Sequence, residues 1–394
     1  MPVALPQALR PFLTMSYPID GFENGLPATM YEKGYDDVLF VVTAAIILTV
    51  ARHIVMEYIL SPFARAYIPR AKLNHAYDDP AMRKRHLRAH DRKHEHAAAR
   101  FAEQGWSMLY FAMAEALGLV ILYRIPNRTS PQELWGTYPY HPLPWLTKFY
   151  YLGQLGWWFH QVYVINMEKR RKDHWQMCFH HFVSIILVMM SYVGNYTRVG
   201  TLIHTLMDVC DILLPLAKLL RYLEFKTACD ATFVLFLLSW LGTRQIAFAC
   251  LVYQTGVSGP PVYIRYEWNH QTGHYFNPFM YWTFTILLSI LLVLCSLWFW
   301  MALRVAIRVV RGEGAEDSRS DSEDMAEESE AEAENVHDEE TELVDDSEDT
   351  EDSDDVTNKN EYRTTKTNGV ANATTSAVHT TAINGHAQGL KRRT

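Results

Sequence analysis

Between residues 38 and 303 the chain alternates long apolar runs with shorter polar connections. Seven runs stand out, at 38–60, 107–123, 149–166, 175–193, 200–220, 228–253 and 278–303. About 20 helical residues at 1.5 Å each cross the roughly 30 Å of hydrocarbon in a bilayer. Each run is long enough, or nearly so, to read as a spanning helix. The expected fold class is all-α, a polytopic membrane protein with about seven transmembrane helices. The third run is the most dilute, because Gln154, His160, Gln161 and Asn166 interrupt it. The N-terminal stretch carries Pro2, Pro6 and Pro11 and no continuous apolar core, so it does not read as a cleaved signal peptide. The first run starts the insertion.

Charge divides the chain and orients it. Of its 394 residues 49% are hydrophobic, and the formal net charge of −8 averages two unlike parts. Residues 313–355 hold 23 acidic residues against one basic, Arg319, a local charge of −22 that leaves +14 for the remainder. Such a segment cannot bury enough apolar surface to offset chain entropy, so residues 312–394 are expected to be disordered. The connection at 61–100 holds ten Lys and Arg. Further basic clusters follow the third run (169–172), the fifth (Lys218, Arg221, Lys226) and the seventh (Arg304, Arg308, Arg311). If every run crosses, all four lie on one side, opposite connections rich in Tyr, Trp, Pro and Gly. The positive-inside rule puts that basic side and the C-terminus in the cytosol, and the N-terminus in the lumen. Five cysteines, at 178, 210, 229, 250 and 295, all fall within runs, so no lumenal connection has the thiols for a disulfide framework. Asn127 and Asn195 fit the glycan acceptor pattern but sit within a few residues of a run, and both are expected to be unmodified.

Candidate chemistry lies inside the apolar runs. His180 stands beside His181 in the fourth, and Asp208 and Asp211 lie in the fifth. A charged Asp at the centre of a membrane helix costs roughly 2.5–3.5 kcal/mol on insertion scales, so a chemical site within the membrane is the default hypothesis. Asp208 and Asp211, three apart, share one helical face, whereas adjacent histidines diverge by about 100°. A carboxylate near an imidazole fixes its tautomer and stabilises imidazolium, which suits general acid–base or nucleophilic work. The alternative is a satisfied polar network between helices.

These residues carry a family resemblance. The stretch KRRKDHWQMCFHHFVSIILVMMSYVGNYTRVGTLIHTLMDVCDILLPLAKLLRY, from Lys169 to Tyr222, closely resembles the longevity-assurance motif of ceramide synthases, a branch of the TLC-type membrane proteins. Arg171, Lys172 and Asp173 precede the histidine pair; Asn195, Arg198, Gly200 and Thr201 follow it; then come Asp208, Asp211, Lys218 and Tyr222. The likeness extends over roughly Arg100 to Arg311, through RFAEQGW, WGTYPYHPL and Thr243-Arg244. It implies a six-helix TLC-type bundle and an enzyme of the endoplasmic reticulum that transfers a fatty acyl group from acyl-CoA to the amine of a sphingoid base, sphinganine or phytosphingosine. The product is ceramide or dihydroceramide; no cofactor is implied beyond acyl-CoA as substrate. Carried over by position, the catalytic residues are His180, His181, Asp208 and Asp211, while Asn195, Arg198 and Gly200 belong to the structural motif. Met207 follows the fungal form of the motif, where animal members have histidine. The interval after the first run is too short for the homeodomain-like insert of many animal members, so nucleic-acid binding is not inherited. The chain divides into a lumenal N-terminal segment (1–37), a first transmembrane helix (38–61), a basic cytosolic connector (62–104), a TLC-type catalytic domain (105–311) and the acidic tail (312–394).

Substrate chemistry sharpens the expectation. Acyl-CoA has an anionic head that stays in water and an apolar tail, so basic residues should ring a cytosolic entrance. Arg170, Arg171, Lys172, Asp173, Lys218, Arg221 and Tyr222 are the expected substrate-binding set. A sphingoid ammonium must lose a proton before attack, which a neutral imidazole can accept. A covalent route makes His180 the nucleophile and His181 the base or orienting partner, with Asp208 and Asp211 stabilising imidazolium. In ceramide synthases the last lumenal connection, here 254–277, is associated with acyl-chain length. The stripe His86, His90, His94 and His96 is read as a basic amphipathic segment against anionic lipid, not as a metal site or the histidine box of an oxidative enzyme. Tail serines among acids, such as Ser320 and Ser329, fit acidophilic phosphorylation. The final Lys391-Arg392-Arg393-Thr394 only approximates a dilysine retrieval signal. A small single-pass subunit and a homodimer are the expected protein partners. A non-enzymatic TLC-type lipid-binding or lipid-sensing protein is the competing reading.

Overall fold

Among the described residues seven helical segments of 20 residues or more make up the bundle. They are α1 (Asp36–Tyr67), α2 (Pro80–Tyr123), α3 (Trp145–Met167), α4 (His174–Val193), α5 (Thr197–Tyr222), α6 (Lys226–Ser258) and α7 (Pro278–Val310). The computed structural model describes residues 6–23, 25–70, 80–125, 127, 129–168 and 173–311, all within the unit Met1–Glu334. The acidic tail and the cluster Arg170, Arg171 and Lys172 lie outside the described residues.

Six of the helices are long and apolar enough to cross a membrane by length and composition. The other is α3, whose 23 residues reach about 34 Å. Its hydropathy is low because polar side chains point inward: Gln154 is 3% exposed and His160 1%. On α4 the inward stripe is His181, Ser184, Val188 and Ser191, at helical spacing, while Phe179 and Phe182 are 47% and 62% exposed on the other face. On α5, Thr201 and Thr205 donate to the carbonyls four residues back, at 2.8 and 2.9 Å, so their hydroxyls need no outside partner.

The described part of the basic connector is helical and continuous with the second apolar run. Residues from Pro80 continue without a break into the second span, making α2 44 residues long, about 66 Å. Ala98 and Phe101 of its basic half pack against Ala64, Ile68 and Leu219, and the His94 ring contacts the Ile68 carbonyl at 3.3 Å. A helix started in water continues readily into hydrocarbon because its backbone hydrogen bonds are internal.

Short strands cap the aromatic end, which hydrophobic runs do not reveal. β1 (Pro18–Glu23) and β2 (Leu26–Tyr31) form an antiparallel hairpin, with Gly25 at φ +81° in its turn. β3 (Leu143–Pro144) joins its edge, and β4 (Glu267–Asn269) pairs with β5 (His274–Phe276). The largest apolar core, including Tyr151, Tyr192, Val199 and Phe276, lies at the same end.

A buried ionic knot fastens this end. Lys148 is fully buried and meets Asp37 Oδ1 at 2.7 Å, while donating to the carbonyls of Ser16 and Glu32 at 2.9 and 2.7 Å. The Tyr192 hydroxyl donates to Asp37 Oδ2 at 2.8 Å, and Lys33 donates to the Tyr192 carbonyl and to Asn195 Oδ1. Asn195, at φ 66°, in turn donates to the Gly273 carbonyl at 2.7 Å, so its amide is enclosed. Arg198 pairs with Glu133 and lies 4.2 Å over the Tyr140 ring. Gly200 is required by close approach: a Cβ there would sit 1.8 Å from the Tyr151 hydroxyl.

Removing one partner of a buried ion pair strands the other charge, so Lys148→Met should destabilise the fold by about 3–5 kcal/mol. Thermal unfolding in detergent reads this, and an unchanged midpoint would contradict the knot. A pH effect accompanies it. Burial, and then the charge of Lys148, push the Lys33 amine down to about 7. The unfolded chain keeps that proton to about pH 10.4, so between those values the unfolded state binds more protons and stability rises with pH. The midpoint should climb from pH 7 to pH 10, and Lys33→Met should flatten the climb.

Candidate active site

One cavity of about 560 Å³ runs through the bundle and draws lining residues from all seven helices. On α5 its lining extends from Val199 to Arg221, about 33 Å along the axis. Asp173, Lys218, Arg221 and Asp230 line its basic end, and Tyr196, Phe276, Tyr281 and Phe284 line the aromatic end. His180, His181, Asp208 and Asp211 all line the stretch between. Two helices at 3.6 residues per turn bring these four side chains to one space.

The two imidazoles differ in what holds them. Their rings stand edge to face, 5.5 Å apart, with Trp158 5.5 Å from His180 and 5.1 Å from His181. Trp298 stands 5.2 Å from His180 on its other side. His181 Nδ1 lies 2.7 Å from the Met177 carbonyl. A carbonyl only accepts, so Nδ1 carries the hydrogen and Nε2 keeps its lone pair. Nδ1 of His180 is buried and has no partner among the described residues.

The two carboxylates have partners other than the imidazoles. Asp211 Oδ2 accepts from Arg244 Nη2 at 2.6 Å, and that nitrogen also reaches the Met207 carbonyl at 2.6 Å. Arg244 is 5% exposed, with its guanidinium 4.4 Å over the Trp240 ring. It sits in a π-helical turn, Leu241–Ala247, which rotates α6 off its regular face. Asp208 Oδ2 accepts from Gln154 Nε2 at 3.3 Å, and Gln154 Oε1 accepts from the Tyr110 hydroxyl at 3.0 Å. Among the described residues neither carboxylate hydrogen-bonds an imidazole; their partners are Arg244 for Asp211 and Gln154 for Asp208. A buried carboxylate takes the nearest strong donor, and a neutral imidazole whose Nδ1–H is already used offers none.

The substrate-binding set is partly brought together. Lys218 and Arg221 line the basic end as expected, as does Asp173, whose carbonyl accepts from Met177 N at 2.9 Å in the first turn of α4. Tyr222 is a correction: it does not line the cavity but packs 6.5 Å from Phe101, beside Ala64 and Leu219. The last residues of α5 turn one side to the cavity, and Tyr222, one position after Arg221, falls beyond it. Arg244, Gln154 and Tyr110 are not among the site residues expected from sequence, although Gln154 and Arg244 are named there for other reasons. Polar residues inside apolar runs were the available signal for Gln154 and Arg244; nothing marked Tyr110.

Residues 100–304 match the TLC domain family. The chain is 36% identical over 315 residues to the sphingosine N-acyltransferase lag1 of Schizosaccharomyces pombe, covering 80% of this chain and 73% of that protein. It is 33% identical to a ceramide synthase of Gibberella moniliformis, over 75% of this chain and 70% of that one. The ceramide synthase LAG1 of Saccharomyces cerevisiae is 28% identical, over 80% and 70% respectively.

Arg244→Met leaves the half-buried Asp211 carboxylate unpaired and should cost about 1–3 kcal/mol, below the loss for a fully buried pair. Arg244→Met with Asp211→Leu should recover part of that loss, measured by thermal unfolding. Additive losses in the double variant would show that the pair is not a unit.

Proposed function

The chain belongs to the TLC-domain family, in its ceramide synthase branch, and from that membership we propose that it joins a fatty acyl group from acyl-CoA to the amine of a sphingoid base. The supporting observation is one cavity, lined by Lys218 and Arg221 among charged residues of both signs at one end, by aromatic rings at the other and by two imidazoles between. Its 560 Å³ falls within the roughly 300–1,000 Å³ of small-molecule sites. The anionic head of acyl-CoA stays in water against Lys218 and Arg221 while the tail enters the bundle. Phe276, Tyr281 and Phe284 line the far end. A closed end ranks acyl tails by length, because each buried methylene contributes about 0.8 kcal/mol only while space remains. By the positive-inside rule the basic end faces the cytosol, with the N-terminus lumenal and the C-terminus cytosolic, and the ceramide synthase relatives support residence in the endoplasmic-reticulum membrane.

The reaction needs a proton acceptor and a polarised thioester. His181 serves as general base through Nε2, since its Nδ1–H is committed to the Met177 carbonyl. In the covalent version a His180 nitrogen attacks the thioester carbon, the C–S bond breaks and CoA leaves as thiolate. The sphingoid amine, its proton passed to His181, then attacks the acyl-imidazole, giving the amide and free His180. Direct attack of the amine on the thioester omits the first half. The Arg244–Asp211 pair and Asp208 set the field in which imidazolium forms.

Purified protein given acyl-CoA and sphinganine, with and without a small single-pass subunit, should release CoA in step with amide. No coupled product in either arm would overturn the proposal in favour of a lipid binder. Replacing His181 by Ala should lower kcat by about 10²–10⁴. Mass spectrometry after acyl-CoA alone should find the acyl group on His180; acyl on neither histidine would leave direct attack.

A further inference from the structure

Asp208 and Asp211 enter the same cavity one turn apart, yet only one has its charge matched. Arg244 meets Asp211 at 2.6 Å. Asp208 is 4% exposed, and its hydrogen bond comes from a neutral amide, Gln154 Nε2 at 3.3 Å. No cation pairs with Asp208 among the described residues. Asp211 and then Glu115 of α2, 8% exposed with Oε2 unpartnered, make its surroundings more negative, and Arg244, which is paired with Asp211, offsets part of that field. A carboxylate placed in hydrocarbon without a counter-charge is costly unless a ligand brings one. Of the two substrates, only the sphingoid base carries a cation, and it arrives as an ammonium.

The carboxylate is also aimed. Gln154 occupies Oδ2, and Oδ1 makes no hydrogen bond among the described residues. The Tyr110 hydroxyl donates to Gln154 Oε1 at 3.0 Å, which fixes the amide so that its NH₂ faces Asp208. With the amide reversed, two acceptor oxygens would meet. Tyr110 is held in turn by stacking on Trp157, with ring centres 3.5 Å apart and planes 5° from parallel. The series Trp157, Tyr110, Gln154, Asp208 thus runs from α2 and α3 to α5, turning one oxygen free for a donor.

We propose that Asp208 is the receptor for the ammonium of the sphingoid base, and that Gln154 and Tyr110 are the positioning residues that orient its carboxylate. This rests on the acyl-transfer reading above and assigns the two carboxylates different work. Asp211 is neutralised inside the protein; Asp208 is neutralised by substrate.

The test uses a cationic lipid that cannot form a stable amide, N,N-dimethylsphinganine, beside its amine-free 1,3-diol counterpart. Binding to the full chain in detergent should favour the cation by about tenfold or more, the factor that 1.4 kcal/mol supplies. Asp208→Asn should erase the preference, while a thioether analogue of acyl-CoA binds with unchanged Kd, which shows that the cavity is intact. Tyr110→Phe, which keeps the ring stacked, and Gln154→Met should raise KM for sphinganine several-fold and leave KM for acyl-CoA unchanged. An Asp208→Asn protein that keeps the cation preference would overturn the inference, as would variants that move both KM values together. Amide formation by the wild type is scored in the same preparation. Its absence sinks the acyl-transfer reading, whereas an active wild type with an undiminished preference in Asp208→Asn sinks this inference alone.

Discussion

A polar group in hydrocarbon has no water to turn to, so it must find a partner inside the protein or face a cavity. The arrangement of this bundle follows from that requirement. It turns Gln154 and His160 of α3 inward although they make the helix the least apolar of the seven. It points His181 inward and leaves Phe179 and Phe182 for lipid. It joins Arg244 to Asp211 across two helices, since either charge alone would be costly where it stands.

The two ends of the cavity then take opposite characters. At the aromatic end, Asp37, Lys148, Lys33, Tyr192 and Asn195 tie the N-terminal hairpin, three helices and the last connection into one hydrogen-bonded unit. Such a unit makes a firm floor for an apolar tunnel, because moving any member unpairs a buried charge. At the other end, Arg221 stands in the last turn of α5 with Lys218 just before it, beside the basic half of α2. A molecule with an anionic head and a long apolar tail matches that gradient in one orientation only.

Much of this is legible in the residues alone. Seven apolar runs are visible as such, and the 3.6-residue period puts Asp208 and Asp211 on one face. The imidazoles and carboxylates are conspicuous because their cost in a membrane demands a reason. The strands are not legible: two or three paired residues at a helix end leave no mark in hydropathy, although Gly25 in the β1–β2 turn is a local hint. Nor is the continuity of α2, whose basic and apolar halves read as different segments although one backbone ladder joins them. Tyr222 belongs to the family motif and still packs among aromatic side chains, because the helix turns it off the cavity.

Partner choice is the part that no pattern along the chain contains. Arg244 lies 33 residues after Asp211 on a π-helical turn, and a regular helical period places it on a different face. Tyr110 meets Gln154 across 44 residues and stacks on Trp157, contacts set by how α2 and α3 cross. The sequence determined the helices, their polarity from a basic to an aromatic end and the residue types at the centre, since those follow from local period and transfer energy. Only the tertiary structure decided which carboxylate is neutralised from within and which is left open, because that depends on which donor packing brings within 3 Å or so of each oxygen.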